Sequence, residues 1–448
     1  MKPFDVLPKP SEEDLEWGPC PDTDFGRRVY SEWLSETLRT HKTASHIVFY
    51  FSDWGANPGK ECLPDTRRWE RTAAFLTAMG DITSDLDSEI LVLGSTRGLT
   101  PMEINSLLQQ LPPKIGLVFE EPTQCLLAPS ASTIKPTMLN TPWDEEYTSV
   151  IKSALKGRPD TCIPLIAAGD TDWMFSPALS VPAPYKAHEK IQHLADLGSE
   201  NIGLALGGLH PWVYSPNARV FAEMIWDPTQ QAGELLETIA KEDFGNAAEG
   251  VLDAWNLFDQ AISRYPSFHP NQGMEFFARN AGDLHFEVGS SRNLQNHPWA
   301  EGVAGLVPYL VESLPGVIRM WESVVESLRL AQNEGEDEEI LFHHAKNIRD
   351  SEYWATFALR LMNSQHNLLR RLNVLHWVPS GSDPSEFPWR EAMAPIDRDS
   401  LENSEAWVTL LYNTPHPVLR IEGEEAVVGG LKRKLERLAT ALRLAHAE

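Results

Sequence analysis

The sequence predicts an α/β protein followed by a mostly α-helical domain. Three observations predict it. Five short apolar runs recur between Ser45 and Gly208, helical patterns fill the intervals, and after Pro216 the strand-like runs give way to long helical patterns. A chain of 448 residues exceeds what one hydrophobic core ordinarily serves, so two domains are expected, 1–215 and 216–448.

The five runs are HIVFYF (His46–Phe51), EILVLGS (Glu89–Ser95), KIGLVFE (Lys114–Glu120), CIPLIAAG (Cys162–Gly169) and NIGLALGG (Asn201–Gly208). Each is aliphatic or β-branched at consecutive positions, so both faces are apolar, as in parallel strands covered by helices. A helix over Asp24–Thr40 precedes the first run. Helices over Asp65–Met79, Thr100–Leu111, Asp144–Lys156 and Tyr185–Leu197 separate the others. Thr100, Pro101 and Glu103 spell a capping box with proline at the first helical position. The alternation of helix and strand implies right-handed crossovers within one parallel sheet. A closed barrel needs eight strands, so five leave either an open sheet or the C-terminal five strands of a barrel.

Beyond Pro216, helices are expected over Gln231–Phe244, Ala247–Ile262, Gly302–Gln332, Asp337–Leu375 and Glu424–His446. Pro266–Pro298 reads as irregular, and Pro379–Ser400, with four prolines, as a loop. Asn333–Glu339 reads as a solvated turn between helices.

The net charge of −26 and a pI near 4.9 repel phosphate backbones and anionic lipid, which argues against nucleic-acid and membrane-surface partners. No apolar run reaches the ~20 residues needed to span a bilayer. The N-terminal MKPFDVLPKPSEEDLEWGPC lacks an apolar signal region, so a cytoplasmic location is expected. Cys20, Cys62, Cys125 and Cys162 have no metal or disulfide spacing, and reduced thiols are the expectation. No P-loop, dinucleotide fingerprint or GxSxG is present, so nucleotide and serine-hydrolase chemistry lack support.

In parallel α/β folds, reacting groups lie at the C-terminal ends of strands. The first run leads into Ser52, Asp53 and Trp54, and a two-residue repeat places Phe49, Phe51 and Asp53 on one face. The second leads into Ser95, Thr96 and Arg97. The third leads into Glu120 and Glu121, of which only one faces a shared site. The fourth leads to Asp170 and Asp172 on one face, then Trp173. The fifth leads to His210 and Trp212. Three of five ends thus carry acids. Two carboxyls beside aromatic rings suit glycoside hydrolysis: one protonates the leaving oxygen, the other acts as base or nucleophile, and the sugar stacks on an indole. Burial against tryptophan and repulsion between carboxylates would raise one carboxyl into the working range. Each residue also has a plain structural reading. Asp53 and Asp170 suit turns or caps, His210 a loop histidine, and His343 and His344 a helix interior. The fifteen tryptophans suit a core at least as well as sugar platforms.

Two stretches resemble α-glucuronidase-like glycoside hydrolases and their relatives. Asn217–Pro266 matches the segment after the barrel, through Asn217, Trp226, Asp227, Pro228, Phe244, Gly245, Ala254, Trp255, Tyr265 and Pro266. Cys20–Trp69 resembles the helix and fourth barrel strand of the same group. Together they span about a fifth of the chain. The resemblance implies that the five runs are strands four to eight of a (β/α)8-type barrel, here partial, with a helical domain behind them. It implies Asp53 as acid after the fourth strand, Glu120 or Glu121 after the sixth, and Asp172 or Asp170 after the seventh. Asp53 stands where the family usually has Glu.

The expectation is therefore a glycoside hydrolase acting on a carbohydrate with paired carboxylates and no cofactor. Asp53 is the proton donor and Glu121 or Asp172 the base. Trp54, Trp173 and Trp212 are sugar platforms, Arg97 is a partner for an anionic sugar, and Asp170 and His210 are further contacts. The alternative is a non-catalytic carbohydrate-binding or interaction protein derived from such a barrel. Exposed edges of a partial sheet call for a homodimer or for cover by the helical domain.

Overall fold

The computed structural model describes residues 20–49 without 22, 67–86, 90–96, 99–119, 134–135, 145–167, 182–205, 214–264, 267–268, 307–335, 342–376, 388–413 and two short helical pieces at 435–436 and 439–440. The chain is α/β, with a parallel sheet and a predominance of helix. It divides into two compact units. The first comprises Met1–Cys125, Trp143–Ile166 and His193–Gly203, and the second Leu126–Pro142, Ala167–Gln192 and Leu204–Glu448.

In the sheet, β1 (His46–Phe49), β2 (Leu91–Ser95), β3 (Ile115–Phe119), β5 (Cys162–Ala167) and β6 (Gly203–Ala205) lie side by side in that order. The pairs β1–β2, β2–β3 and β3–β5 are parallel. A strand pair outside this sheet was not expected. β4 (Ile134–Lys135) and β7 (Ser267–Phe268) form a two-stranded antiparallel ribbon. Four described helices belong to the first unit: α1 (Asp24–Thr40), α2 (Arg68–Asp85), α3 (Pro101–Gln110) and α4 (Glu145–Gly157). The capping box on α3 forms as the sequence implies: Thr100 N–H donates to Glu103 Oε2 at 2.8 Å, and Thr100 Oγ1 accepts from Glu103 N–H at 3.3 Å. At its other end the Arg158 guanidinium donates to the carbonyls of Leu108, Leu111, Pro112 and Ile115 at 2.6–3.2 Å. It takes up carbonyls that the helix end leaves open and ties the turn to the first residue of β3.

Glycines identify the two faces of the sheet. A Cβ on Gly94 would lie 2.3 Å from Leu76 Cδ1 of α2, and one on Gly80 of α2 would lie 3.0 Å from Ile115 Cδ1. Phe49 stacks edge-on against Phe75 of α2, centroids 5.4 Å apart, and lies beside Trp33 of α1. The helix-covered face therefore carries Ile47, Phe49, Val92, Gly94, Ile115, Leu117 and Phe119, which the register aligns across strands. Val48, Leu91, Leu93, Ser95, Gly116, Val118 and Ile163 occupy the opposite face. All five residues of β3 are buried, which explains why that run is apolar on both sides.

In the second unit, α5 (Pro184–Asp196), whose last turn belongs to the first unit, precedes α6 (Pro216–Met224), α7 (Ala232–Phe244), α8 (Ala248–Arg264), α9 (Val307–Gly335), α10 (Phe342–His376) and α11 (Trp389–Tyr412). Helix α9 packs on α8 and α10, α10 also on α7 and α11, and α7 on α8. Their core is aromatic. Trp255, Trp321, Trp354 and Trp407 are fully buried, with edge-to-face pairs Phe258–Trp321 at 4.9 Å and Phe357–Trp407 at 5.3 Å. Trp321 Nε1–H donates to the Ala355 carbonyl at 3.0 Å.

Three expectations are corrected. Pro379–Ser400 is not all loop, because α11 begins at Trp389 with Pro388 at its N-cap and carries Pro395 inside. Proline is tolerated at a helix start, where its missing N–H has no partner to lose. Helix α6 was not anticipated. Pro216 occupies its first turn and Ser215 Oγ caps it by accepting from Ala218 N–H at 3.1 Å. The thiols are not all reduced: Cys20 is disulfide-bonded, to a partner outside the described residues, while Cys162 is free and buried.

Candidate functional site

The parallel register fixes a common C-terminal edge for β1, β2, β3 and β5, at Phe49, Ser95, Phe119 and Ala167. The candidate residues follow those ends in sequence. Asp53, Trp54, Arg97, Glu120, Glu121, Asp170, Asp172, Trp173, His210 and Trp212 all lie outside the described residues. Asp53, Trp54, Arg97, Glu120 and Glu121 fall within the first unit, and Asp170, Asp172, Trp173, His210 and Trp212 within the second.

The described edge carries its own polar groups. Ser95 and Thr96 are both buried, at 0% and 1% exposure. Thr96 N–H donates to the Val118 carbonyl at 2.9 Å, so the ladder between β2 and β3 continues one residue past β2. Ser95 lies on the face opposite α2, beside Val118, and Thr96 follows on the helix-covered side. Sequence reasoning had both at a strand end and kept only Arg97. A hydroxyl in an otherwise apolar strand end is the signal that singles out Ser95.

The described strand ends fall on both faces: Phe119 is on the helix-covered face and Ser95 on the opposite one. The shared face expected of Phe49, Phe51 and Asp53 begins, at Phe49, on the helix-covered side.

In the second unit, Tyr214 and Ser215 are the first described residues after 206–213. The Tyr214 hydroxyl donates to Asp243 Oδ2 at 2.8 Å. Burial, and then the Asp243 carboxylate beside it, pushes that hydroxyl well above the ordinary phenol range. Arg219 pairs with Glu223 and, at 2.6 Å, with Glu242, and its Nε lies 3.6 Å from Asp243. Asn217 is fully buried, and its Oδ1 accepts from Ala183 N–H at 2.7 Å. Nothing in the sequence reading pointed to Tyr214 as functional, and Asn217 entered only through the resemblance.

Two further titratable groups are set by burial. The Cys162 thiol is pushed up to about 11 by desolvation, which outweighs the nearby Arg158 charge, so it is no nucleophile at neutral pH. Burial raises the Asp259 carboxyl above its ordinary value, with Lys186 Nζ 4.0 Å away opposing the shift. Among the described residues no group of three or more His, Cys, Asp or Glu is placed to hold a metal ion.

No family model matches the sequence, and no curated protein matches it. Among eight solved chains that match by fold, one is a GH138 enzyme targeting pectin rhamnogalacturonan II, with a TM-score of 0.47 and 9% identity over 87% of this chain. The present chain spans about half of that enzyme, 53% of its length. Another is a variant of the Thermobaculum terrenum O-GlcNAc hydrolase, with a TM-score of 0.39 and 12% identity, covering 96% of this chain and 79% of the other. The name of neither mentions an α-glucuronidase.

Proposed function

We propose that the chain is a glycoside-hydrolase-type protein in which β1, β2, β3, β5 and β6 are strands four to eight of a partial (β/α)8-type barrel. What supports the reading is the polarity of the sheet: β1, β2 and β3 run the same way, so the segments carrying Asp53, Arg97 and Glu120 all leave from one edge. In the first unit Asp53 donates the proton to the leaving oxygen. Glu120 or Glu121 serves as base or nucleophile. Two carboxyls suffice for such cleavage, and their separation sets retention or inversion. Arg97 pairs with an anionic sugar carboxylate through its planar fork. Among the second unit's residues, Trp173 and Trp212 are the proposed sugar-stacking platforms, with Asp170, Asp172 and His210 as polar contacts.

The side taken by Phe49 favours a second reading. Phe49, the last described residue before Asp53, packs on the helices, which suits a carbohydrate-binding or interaction protein that has lost catalysis. Asp53→Asn and Glu120→Gln separate the two when hydrolysis of an aryl-glycoside panel and oligosaccharide binding are measured independently. Catalysis predicts a loss of at least about a hundredfold in turnover for each, with binding retained. A wild-type protein that binds sugar and hydrolyses no glycoside decides for the second reading.

A further inference from the structure

We propose that Trp226, on the turn between α6 and α7, is the platform of a further carbohydrate-binding site that takes a neutral sugar ring. The class of ligand rests on the glycoside-hydrolase reading, and the presentation of the ring on geometry alone. Trp226, Asp227 and Pro228 belong to the stretch that carries the family resemblance, and the function proposed above leaves them without a role. Trp255 in the same stretch is core, at 1% exposure. Trp226 is the opposite. At 85% exposure it is the most open large apolar side chain among the described residues, and Ile225 beside it is half exposed.

The turn holds that ring still. Trp226 N–H and Asp227 N–H both donate to the Glu223 carbonyl, at 3.1 and 3.3 Å. Asp227 Oδ1 accepts from the Thr229 N–H at 3.0 Å and from the Thr229 hydroxyl at 2.6 Å. The Asp227 carbonyl accepts from Gln230 Nε2 at 3.3 Å, and the Gln230 carbonyl lies 2.7 Å from Nε2 of the buried His188 on α5. Single exposed apolar side chains are common and need no explanation. This one differs because the backbone beneath it is ordered before any ligand arrives, so little ordering entropy is lost on binding.

The charges beside the ring select the occupant. Both bonds to the Asp227 side chain fall on Oδ1, which leaves Oδ2 to accept from a ligand hydroxyl. The Thr229 hydroxyl first, and then its N–H, hold that carboxyl below its ordinary value, so it stays charged. Glu223 is matched by Arg219, whereas Asp227 has no cation beside it among the described residues. In a chain of net charge −26, such a carboxylate disfavours uronic acids, phosphates and a second copy of this chain. A neutral sugar suits both groups: its C–H face stacks on the indole and its hydroxyls reach the carboxylate.

The test uses the full-length protein, a panel of neutral gluco-, xylo-, manno-, galacto- and arabino-oligosaccharides, and uronic-acid oligosaccharides of matched length. N-bromosuccinimide should oxidise Trp226 readily, as read by peptide mass spectrometry. A neutral oligosaccharide in excess should slow that oxidation by about fivefold or more. Trp226→Ala removes a side chain that lies in solvent, so the fold is spared. It should weaken retention in native gels containing the matching neutral polysaccharide by about tenfold, and Trp226→Tyr should recover part of the loss. Asp227→Asn should narrow the preference for neutral over acidic sugar. Oxidation of Trp226 that no neutral sugar slows overturns the site, and so does stronger protection by the uronic acids. A concentration-dependent doubling of mass that Trp226→Ala abolishes assigns the ring to a second copy and also overturns it. Hydrolysis of aryl glycosides by the wild type is scored separately. Protection of Trp226 without hydrolysis supports the site and counts against the catalytic reading alone, and hydrolysis without protection does the reverse.

Discussion

Arg158 offers a direct test of how the sheet edge is held. Its guanidinium donates to four backbone carbonyls, Leu111 at 2.6 Å, Leu108 at 2.8 Å, Pro112 at 3.1 Å and Ile115 at 3.2 Å. Arg158→Met keeps most of the aliphatic stem and removes the charge and every donor. A hydrogen bond to a charged group is worth about 1.5–3 kcal/mol, but these carbonyls are only partly buried and regain water, so the four do not add. About 2–4 kcal/mol for the local structure is a fair sum, including the favourable placement of a cation at the C-terminus of α3. Because the chain has two units, a whole-protein melting curve mixes transitions, and exchange of the β3 amides is the better assay. The expected acceleration over residues 115–119 is roughly 30- to 1,000-fold. Arg158→Lys, with three donors on one nitrogen in place of a planar fork, is expected to fall between. Exchange in Arg158→Met within about threefold of wild type would refute the reasoning, since it would mean that water caps the helix as well as the guanidinium does.

Three further outcomes are expected. Gly116→Ala puts a methyl 2.1 Å from the Thr161 carbonyl oxygen, which also accepts from Leu117 N–H at 2.8 Å, so soluble expression should collapse. The control Gly157→Ala, with nothing within 4 Å, should express normally. His366, whose Nε2 is 3.2 Å from the Val311 carbonyl, is held below its usual value of 6.5, by burial first and then by Arg370. The unfolded chain therefore takes up the proton first as pH falls. The contribution is complete above about pH 6.5 and declines below it toward the lowered folded value, and His366→Leu should flatten that part of a stability–pH profile. Cys162, with its thiol at about 11, should resist iodoacetamide in the native protein near pH 8 and react on unfolding, as read by mass spectrometry.

The strands of the sheet were legible because doubly buried parallel strands must be apolar at consecutive positions, and little else in the chain is. Helix α3 was legible through its cap. Helix α11 was hidden for a physical reason. Its buried stripe is Ile396, Asp397, Ser400, Asn403, Ser404, Trp407 and Leu411, so the helical period is present but half of it is polar. The polar half has partners that no sequence pattern announces: Asp397 pairs with Arg371, and Asn403 Nδ2 donates to the Arg360 carbonyl and to Ser364 Oγ, both at 2.9 Å. The disulfide at Cys20 escaped for a similar reason, because pairing depends on distance in space and not on spacing along the chain.

The sequence places the candidate residues after strand ends, and those residues lie outside the described ones. Sequence alternation gave Glu120 and Glu121 opposite phases without saying which phase faces the helices, since runs apolar on both sides carry no marker of inside and outside. The marker is a pair of missing side chains. Gly94 admits Leu76 of α2 on one face, and Gly116 admits Leu93 and the Thr161 carbonyl on the other, which orients β2 and β3 together. Once they are oriented, the described strands carry Ser95 and Val118 on one face and Gly94 and Leu117 on the other. Glu120 is one residue beyond β3, Arg97 two beyond β2 and Asp53 four beyond β1, all outside the described residues. Adjacent positions of an extended chain take opposite faces, so Glu120→Gln and Glu121→Gln should differ in any assay of sugar hydrolysis or binding, and equal effects of the two would show that the strand's alternation ends at Phe119.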